Sequence, residues 1–263
     1  MDIFRDYSHQ NVKTRIKNKE YLRKKVSDRK ILEKEFKILQ FLNDDPATPQ
    51  VQRLDEDCFL EEYITGRKLT PADIKNPKIL NKVAEIIQRI HSRDITAAIK
   101  PYIKNSFLEK EQYSSKKIGL EILANCSREC IADLYSPLVE TWGKFDRSIA
   151  GRHLTLCLIH GDLSFNNFLR SDGDIYLIDW TDCRFDAHTC DVSQLFYLMS
   201  FASNQKKYFL DRYCFGNVDE ETLAIHRLLL VLYDFVAIYK TKKIIKKGKL
   251  KELQTLIKAL GYV

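Results

Sequence analysis

One stretch constrains the chain more than any other: Leu158 to Trp180, LIHGDLSFNNFLRSDGDIYLIDW. It reads as strand, polar loop, short strand, tight turn and strand, with acids placed where apolar runs end. Thr155 to Ile159 is β-rich, and His160-Gly161-Asp162 breaks it. Asn166 and Asn167 close the loop, Phe168-Leu169 restores apolar character, and Ser171-Asp172-Gly173-Asp174 is a turn signal. Ile175 to Ile178 is then a buried strand that delivers Asp179 at its end. Asp162, Asn167 and Asp179 thereby converge at the mouth of a hairpin. A hairpin with polar tips and no chemistry is the plainer reading, but it leaves the order and spacing of these three residues unexplained.

Two carboxylates and an amide suit phosphoryl transfer, which asks a protein for positioning and charge neutralisation more than for covalent chemistry. One carboxylate orients an incoming hydroxyl and accepts its proton. The other carboxylate and the amide oxygen are hard ligands that hold Mg2+ against phosphates. The spacing H-x-D-x-x-x-x-N followed by I-D is kinase-like, with HGD where protein kinases carry HRD and IDW where they carry DFG. On these residues the chain resembles the aminoglycoside phosphotransferase and choline kinase superfamily of small-molecule kinases. That resemblance implies an α+β, two-lobed protein-kinase-like fold with a small β-rich N-lobe and a larger, mainly helical C-lobe. It makes Asp162 the catalytic base and Asn167 and Asp179 the metal ligands. His160 stands behind them within the same motif.

Upstream, residues 1 to 61 read as mostly β with one helix. Asn11 to Ile16 and Glu20 to Val26 are candidate strands flanking the turn Lys17-Asn18-Lys19. Leu22, Lys24 and Val26 share one face of the second strand, so Lys24 is the phosphate-binding candidate, with Lys25 as its rival. Asp28 is a plausible N-cap for a helix from about Arg29 to Asn43. On that helix Glu35, with Glu33 as fallback, is placed to hold the lysine over the phosphates, as kinases require. The first glycine of the chain is Gly66, so the polar stretch Tyr7 to Asn11, read as the loop between the first strands, is no glycine-rich phosphate cradle. Cys58 to Gly66 (CFLEEYITG) is a strand running into a breaker and resembles a kinase hinge. The resemblance gives the backbone of Glu61, Glu62, Tyr63 and Ile64 to the adenine edge. The lobes then fall at residues 1–65 and 66–263.

Beyond Thr70 the texture turns helical. Asn76-Pro77 starts a helix to His91, whose imidazole is expected to pack rather than catalyse. Glu129 to Ile149 and Asp219 to Lys240 have helical spacing as well. Asp191 opens an amphipathic helix, and the kinase-like fold gives it the role of fixing the catalytic loop's shape. Cys183, His188 and Cys190 match no standard zinc spacing and lack a fourth ligand. Asp182, Asp186, Tyr233 and Asp234 are the candidates for contacting substrate, the acids for a cationic one and the tyrosine through cation–π contact.

The net charge of +7 raises nucleic acid as a partner, but much of it comes from Lys240 to Lys251 (KTKKIIKKGKLK), which reads as a solvated helix face. No nucleic-acid partner is expected. No apolar run reaches membrane-span length, no secretory signal is visible, and seven scattered cysteines suit reduced thiols in a cytoplasmic protein. The expected activity is ATP- and Mg2+-dependent phosphorylation of a small-molecule hydroxyl, first choline or another amino alcohol, then an aminoglycoside, then a sugar or nucleoside. A protein kinase and a nucleotide-binding pseudokinase are the readings from other classes. The first lacks HRD, DFG and A-P-E signatures, and the second is at odds with a full set of catalytic residues.

Overall fold

The computed structural model describes residues 9–103 and 155–228, together with positions 230, 231, 251 and 255. The helix expected over Glu129 to Ile149, the basic run from Lys240, and Tyr233 and Asp234 lie outside the described residues, the isolated Lys251 apart. The chain divides into two compact units. One comprises Met1–Lys104, Cys157–Phe185 and Leu195–Gly216; the other comprises Asn105–Leu156, Asp186–Gln194 and Asn217–Val263.

The first unit begins with strands β1 (His9–Ile16) and β2 (Lys19–Val26), paired antiparallel from His9↔Val26 to Ile16↔Lys19. The two-residue link Lys17-Asn18 has φ of 45° and 65°, the left-handed pair that a tight hairpin with right-handed twist demands. This corrects one expectation: Tyr7 to Asn11 is not the loop between the first strands. From His9 onward that stretch is strand, and the connecting loop is Lys17-Asn18.

Helix α1 (Arg29–Phe41) starts where Asp28 accepts the Lys30 N–H at 2.8 Å, satisfying an end amide. It buries Leu32, Phe36, Ile38 and Leu39. Strands β3 (Val51–Asp55) and β4 (Cys58–Glu62) complete a sheet ordered β1-β2-β4-β3. The loop between α1 and β3 is held from two directions. Its Asp45 accepts from Arg89 at 3.0 Å, and its Ala47 carbonyl accepts the Leu177 N–H at 2.7 Å.

Three strands carry no signal in the sequence reading: β3, β5 (Arg67–Lys68) and, after Trp180, β9 (Arg184–Ala187). Helix α2 (Pro77–His91) has Asn76 as N-cap and Pro77 in its first turn, as expected, and α3 (Lys100–Ile103) is a single turn. His91 is buried, its Nδ1 2.5 Å from the Tyr213 hydroxyl, within an aromatic core that includes Phe196, Phe201, Phe209 and Phe215. It packs rather than catalyses, as expected.

Strand β6 (Leu156–Ile159) pairs with β9, while β7 (Phe168–Ser171) and β8 (Asp174–Leu177) form the hairpin read from the sequence. β5 joins that hairpin through Arg67↔Arg170. Beneath this junction Asp73 accepts from both guanidinium nitrogens of Arg67 at 2.7 Å, from Arg170 at 3.0 Å and from Thr70 N–H at 2.9 Å. The Arg67 bond above all holds its carboxyl well below the usual range. Helices α4 (His188–Leu198) and α5 (Ser203–Leu210) follow.

In the second unit Asp219 caps a helix at residues 220–228, accepting from the Thr222 amide at 2.8 Å. The Ser193 hydroxyl donates to the Leu223 carbonyl at 2.9 Å.

Gly66 is where β5 meets β7 most closely. A Cβ there would lie 2.6 Å from the Arg170 carbonyl oxygen, on backbone that strand pairing fixes. Gly66→Ala is therefore expected to destabilise the chain by about 1–3 kcal/mol, read as a lowered urea midpoint. An unchanged midpoint would count against this packing.

Candidate active site

The site is built from four pieces of the first unit: β2, α1, β4 and the stretch from β6 to the turn after β8. Lys24 is 4% exposed, and its Nζ lies 2.6 Å from Glu35 Oε1 and 2.9 Å from Glu61 Oε2. Lys25 is exposed on the opposite face of the strand, and Glu33 is turned away to Arg53. Period-two alternation thus separates Lys24 from Lys25, and Glu35 rather than Glu33 pairs with Lys24. Burial pushes the Lys24 ammonium down, but the charges of Glu35, Glu61 and Asp179 outweigh it and hold the group above its ordinary value.

Glu61 has a role that the sequence did not announce. Read as a backbone contributor, it also buries its side chain to 2% exposure as the second carboxylate on Lys24. Burial pushes its carboxyl up, with Lys24 opposing and Glu35 adding to the rise. The signal that could have found it is alternation in β4: Phe59 and Glu61 point to one face, and Leu22↔Glu61 pairing brings that face beside Lys24.

The neighbouring residues differ in what their backbones offer. The Glu62 amide donates to Gln50 O at 2.8 Å and the Tyr63 amide to Glu20 O at 3.1 Å. The Ile64 amide has no such partner among the described residues. The Tyr63 ring carries Lys13 Nζ 4.0 Å from its centroid.

The catalytic-loop candidates meet as the motif requires. Asn167 sits in a short 3-10 turn (Phe165–Asn167), and its Nδ2 donates to Asp162 Oδ2 at 2.7 Å and to the Asp162 carbonyl at 2.8 Å. With its nitrogen so engaged, Asn167 has its side-chain oxygen for a cation. Burial pushes the Asp162 carboxyl above the ordinary range, Asp182 and Asp179 add to the rise, and the Asn167 bond opposes it. His160 joins the two motif halves. The Asp162 N–H donates to its Nδ1 at 3.2 Å, so Nε2 carries the proton toward the Ile178 carbonyl, 3.0 Å away.

Asp179 follows β8 at φ 63°, a left-handed conformation that Asp tolerates better than most residues. Its carboxylate is exposed and accepts from the Thr181 hydroxyl at 2.9 Å. Asn167 and Asp179 supply oxygen donors only, a set that fits Mg2+ completed by phosphate and water oxygens. Among the described residues no group of three or more His, Cys, Asp or Glu side chains is placed to hold a metal ion by itself, Cys183, His188 and Cys190 included.

Asp182 is exposed, and its charge reaches Asp162. Asp186 lies in the second unit, fully buried, with Oδ1 accepting the Ala187 N–H at 2.8 Å. Asp191, also in the second unit, is buried in the first turn of α4. Tyr233 and Asp234, as noted, are outside the described residues.

The sequence matches the Choline/ethanolamine kinase family over residues 7–260. Solved structures share the fold. The choline kinase LicA from Streptococcus pneumoniae is 22% identical, with a TM-score of 0.71 over 97% of this chain and 90% of that one. An ethanolamine kinase from Plasmodium vivax is 16% identical, with a TM-score of 0.66 over 99% of this chain and 83% of that one. The ADP-bound aminoglycoside phosphotransferase APH(2'')-Ib is 13% identical, with a TM-score of 0.67 over 97% of this chain and 93% of that one. These likenesses establish the protein-kinase-like α+β fold expected from the motif. With the family match spanning nearly the whole sequence, the chain belongs to the choline/ethanolamine kinase family, small-molecule kinases that phosphorylate an alcohol group.

Proposed function

We propose that the chain transfers the γ-phosphoryl group of ATP, with Mg2+, to the hydroxyl of choline or another small amino alcohol. The observation that carries this reading is geometric: Lys24 is buried between Glu35 and Glu61 in the same unit in which Asn167 donates to Asp162 at 2.7 Å. Lys24, held by Glu35 and Glu61, grips the phosphates. The Ile64 amide reads the adenine edge next to Glu61, Glu62 and Tyr63. Asp162 orients the acceptor hydroxyl and takes its proton; its raised pKa makes it a stronger base than an ordinary carboxylate. Asn167 holds Asp162 in place, and His160 ties the loop to the strand before Asp179. A Mg2+ ion at Asn167 and Asp179 would neutralise charge on the phosphates as the bond to the leaving oxygen loosens.

Three carboxylates, Asp162, Asp179 and Asp182, attract a cationic acceptor, with Asp182 the exposed member beside the base. An aminoglycoside is the alternative such acidity also suits. In this reading residues 1–65 form the nucleotide lobe and 66–263 the catalytic and substrate lobe. No helix among the described residues is long and apolar enough to cross a membrane, and Cys58, Cys157, Cys183, Cys190 and Cys214 are thiols, so the cytoplasm is the proposed compartment.

Acceptor-dependent ADP release with Mg-ATP tests the reading over choline, ethanolamine, aminoglycosides, sugars and nucleosides. We expect turnover with the amino alcohols, and a loss of roughly 10²–10⁴-fold in kcat for Asp162→Asn. Bound ATP without turnover on any acceptor would instead mark a binding module.

Asp162 also predicts a stability trade. Its folded carboxyl binds a proton more tightly than the unfolded one, so stability falls as pH rises through the raised value and stays lower at neutral pH. Asp162→Asn should melt higher than the wild type at neutral pH, with the gain shrinking on acidification. A Tm difference independent of pH would count against a strained base.

Lys24→Met leaves Glu35 and Glu61 buried without their cation and should cost about 3–5 kcal/mol in chemical denaturation, with nucleotide affinity lost. Adding Glu61→Gln should restore part of the stability and none of the affinity. No recovery of stability would show that Glu61 does not share the lysine.

A further inference from the structure

We infer that Thr181 and Lys34 are positioning residues that fix the orientation of the Asp179 carboxylate toward the divalent cation. The inference rests on the reading of Asp179 as a metal ligand. Asp179 stands in a left-handed conformation two residues beyond β8, with Thr181 two residues further on. The backbone before it is pinned on both sides of Ile178, whose amide donates to the Asn167 carbonyl at 2.9 Å and whose carbonyl lies 3.0 Å from His160 Nε2. The backbone after it turns at once, Cys183 N–H donating to the Trp180 carbonyl at 3.2 Å. Trp180 is fully buried, its indole N–H on the Leu177 carbonyl at 3.2 Å and its ring 4.7 Å from the His160 ring.

Within that turn Thr181 does two things. Its hydroxyl donates to Asp179 Oδ1 at 2.9 Å, and its carbonyl accepts from Lys34 Nζ at 2.8 Å. Lys34 precedes Glu35 on α1, so successive residues of one helix reach the two halves of the phosphate machinery. Glu35 holds Lys24, and Lys34 holds the turn that holds Asp179. A carboxylate oriented by a hydroxyl on one oxygen presents the cation with one geometry, which is how outer partners tune a metal ligand.

The test is calorimetric and needs no turnover. A non-hydrolysable ATP analogue is titrated into wild type, Thr181→Val, Thr181→Ser and Lys34→Met, with and without Mg2+. Wild type should bind more tightly with Mg2+. Thr181→Val, which keeps the branched shape, should lose roughly tenfold of that Mg2+-dependent gain. Thr181→Ser should keep the gain, and Lys34→Met should lose part of it. Metal-free affinity should match across the set. A Thr181→Val chain with the full Mg2+ gain, or one weakened equally with and without Mg2+, overturns the inference while leaving the site reading intact. A wild type that binds no nucleotide, or binds it without any Mg2+ gain, overturns the reading of Asp179 and the inference with it.

Discussion

An ammonium group does not stay charged at 4% exposure without partners that replace its water. Lys24 has two, and the rest of the first unit is arranged so that they can reach it. Glu35 arrives on a helix whose start is fixed by Asp28, and Glu61 arrives on a strand whose register is fixed by pairing with β2. The three charges sum to −1, so the cluster is not neutral by itself. Burial and the neighbouring Glu35 charge, against the pull of Lys24, push the Glu61 carboxyl above its ordinary range.

The same clamp explains why α1 cannot shift alone. Glu35 is buried against Lys24, Lys34 is tied to Thr181, and the loop after the helix is tied to Arg89 and to the Leu177 amide. Moving the helix would break bonds to the phosphate lysine, to the turn after Asp179 and to the strand before it together. These bonds act alongside the buried apolar face of Leu32, Phe36, Ile38 and Leu39, so geometry at the two charged centres is coupled through the helix.

Much of this was legible in the sequence, and the parts that were share a cause. Local signals found the starts of α1 and α2, because a capping side chain and its amide are two residues apart. Fixed spacing singled out Asp162 and Asn167, which hydrogen-bond within the loop between β6 and β7, and Asp179, which follows β8. Alternation found Lys24. The side-chain role of Glu61 went unread because it depends on sheet register, which joins Leu22 to a residue far along the chain. The Lys34–Thr181 bond spans 147 residues and involves a carbonyl, which no sequence pattern marks. Strands β5 and β9 are too short for periodicity, and His9 to Asn11 look like loop in the sequence because polar residues on an edge strand carry no alternation.

Gly161 shows how the departures from the protein-kinase motif belong together. Its φ is 83°, and a Cβ there would overlap the Asp182 carbonyl oxygen and come within 2.7 Å of Arg184 Nη1. A larger residue at this position is excluded twice, by backbone conformation and by the close approach of the segment after Asp179. That segment can approach because it is short: the turn at Trp180–Cys183 leads straight into β9 at Arg184. A long, mobile activation segment would have to depart where this chain instead folds back over its own catalytic loop. HGD in place of HRD and the compact turn in place of an activation segment are therefore one structural choice. It sets the exposed Asp182, whose carbonyl lies against Gly161, next to the loop that carries Asp162.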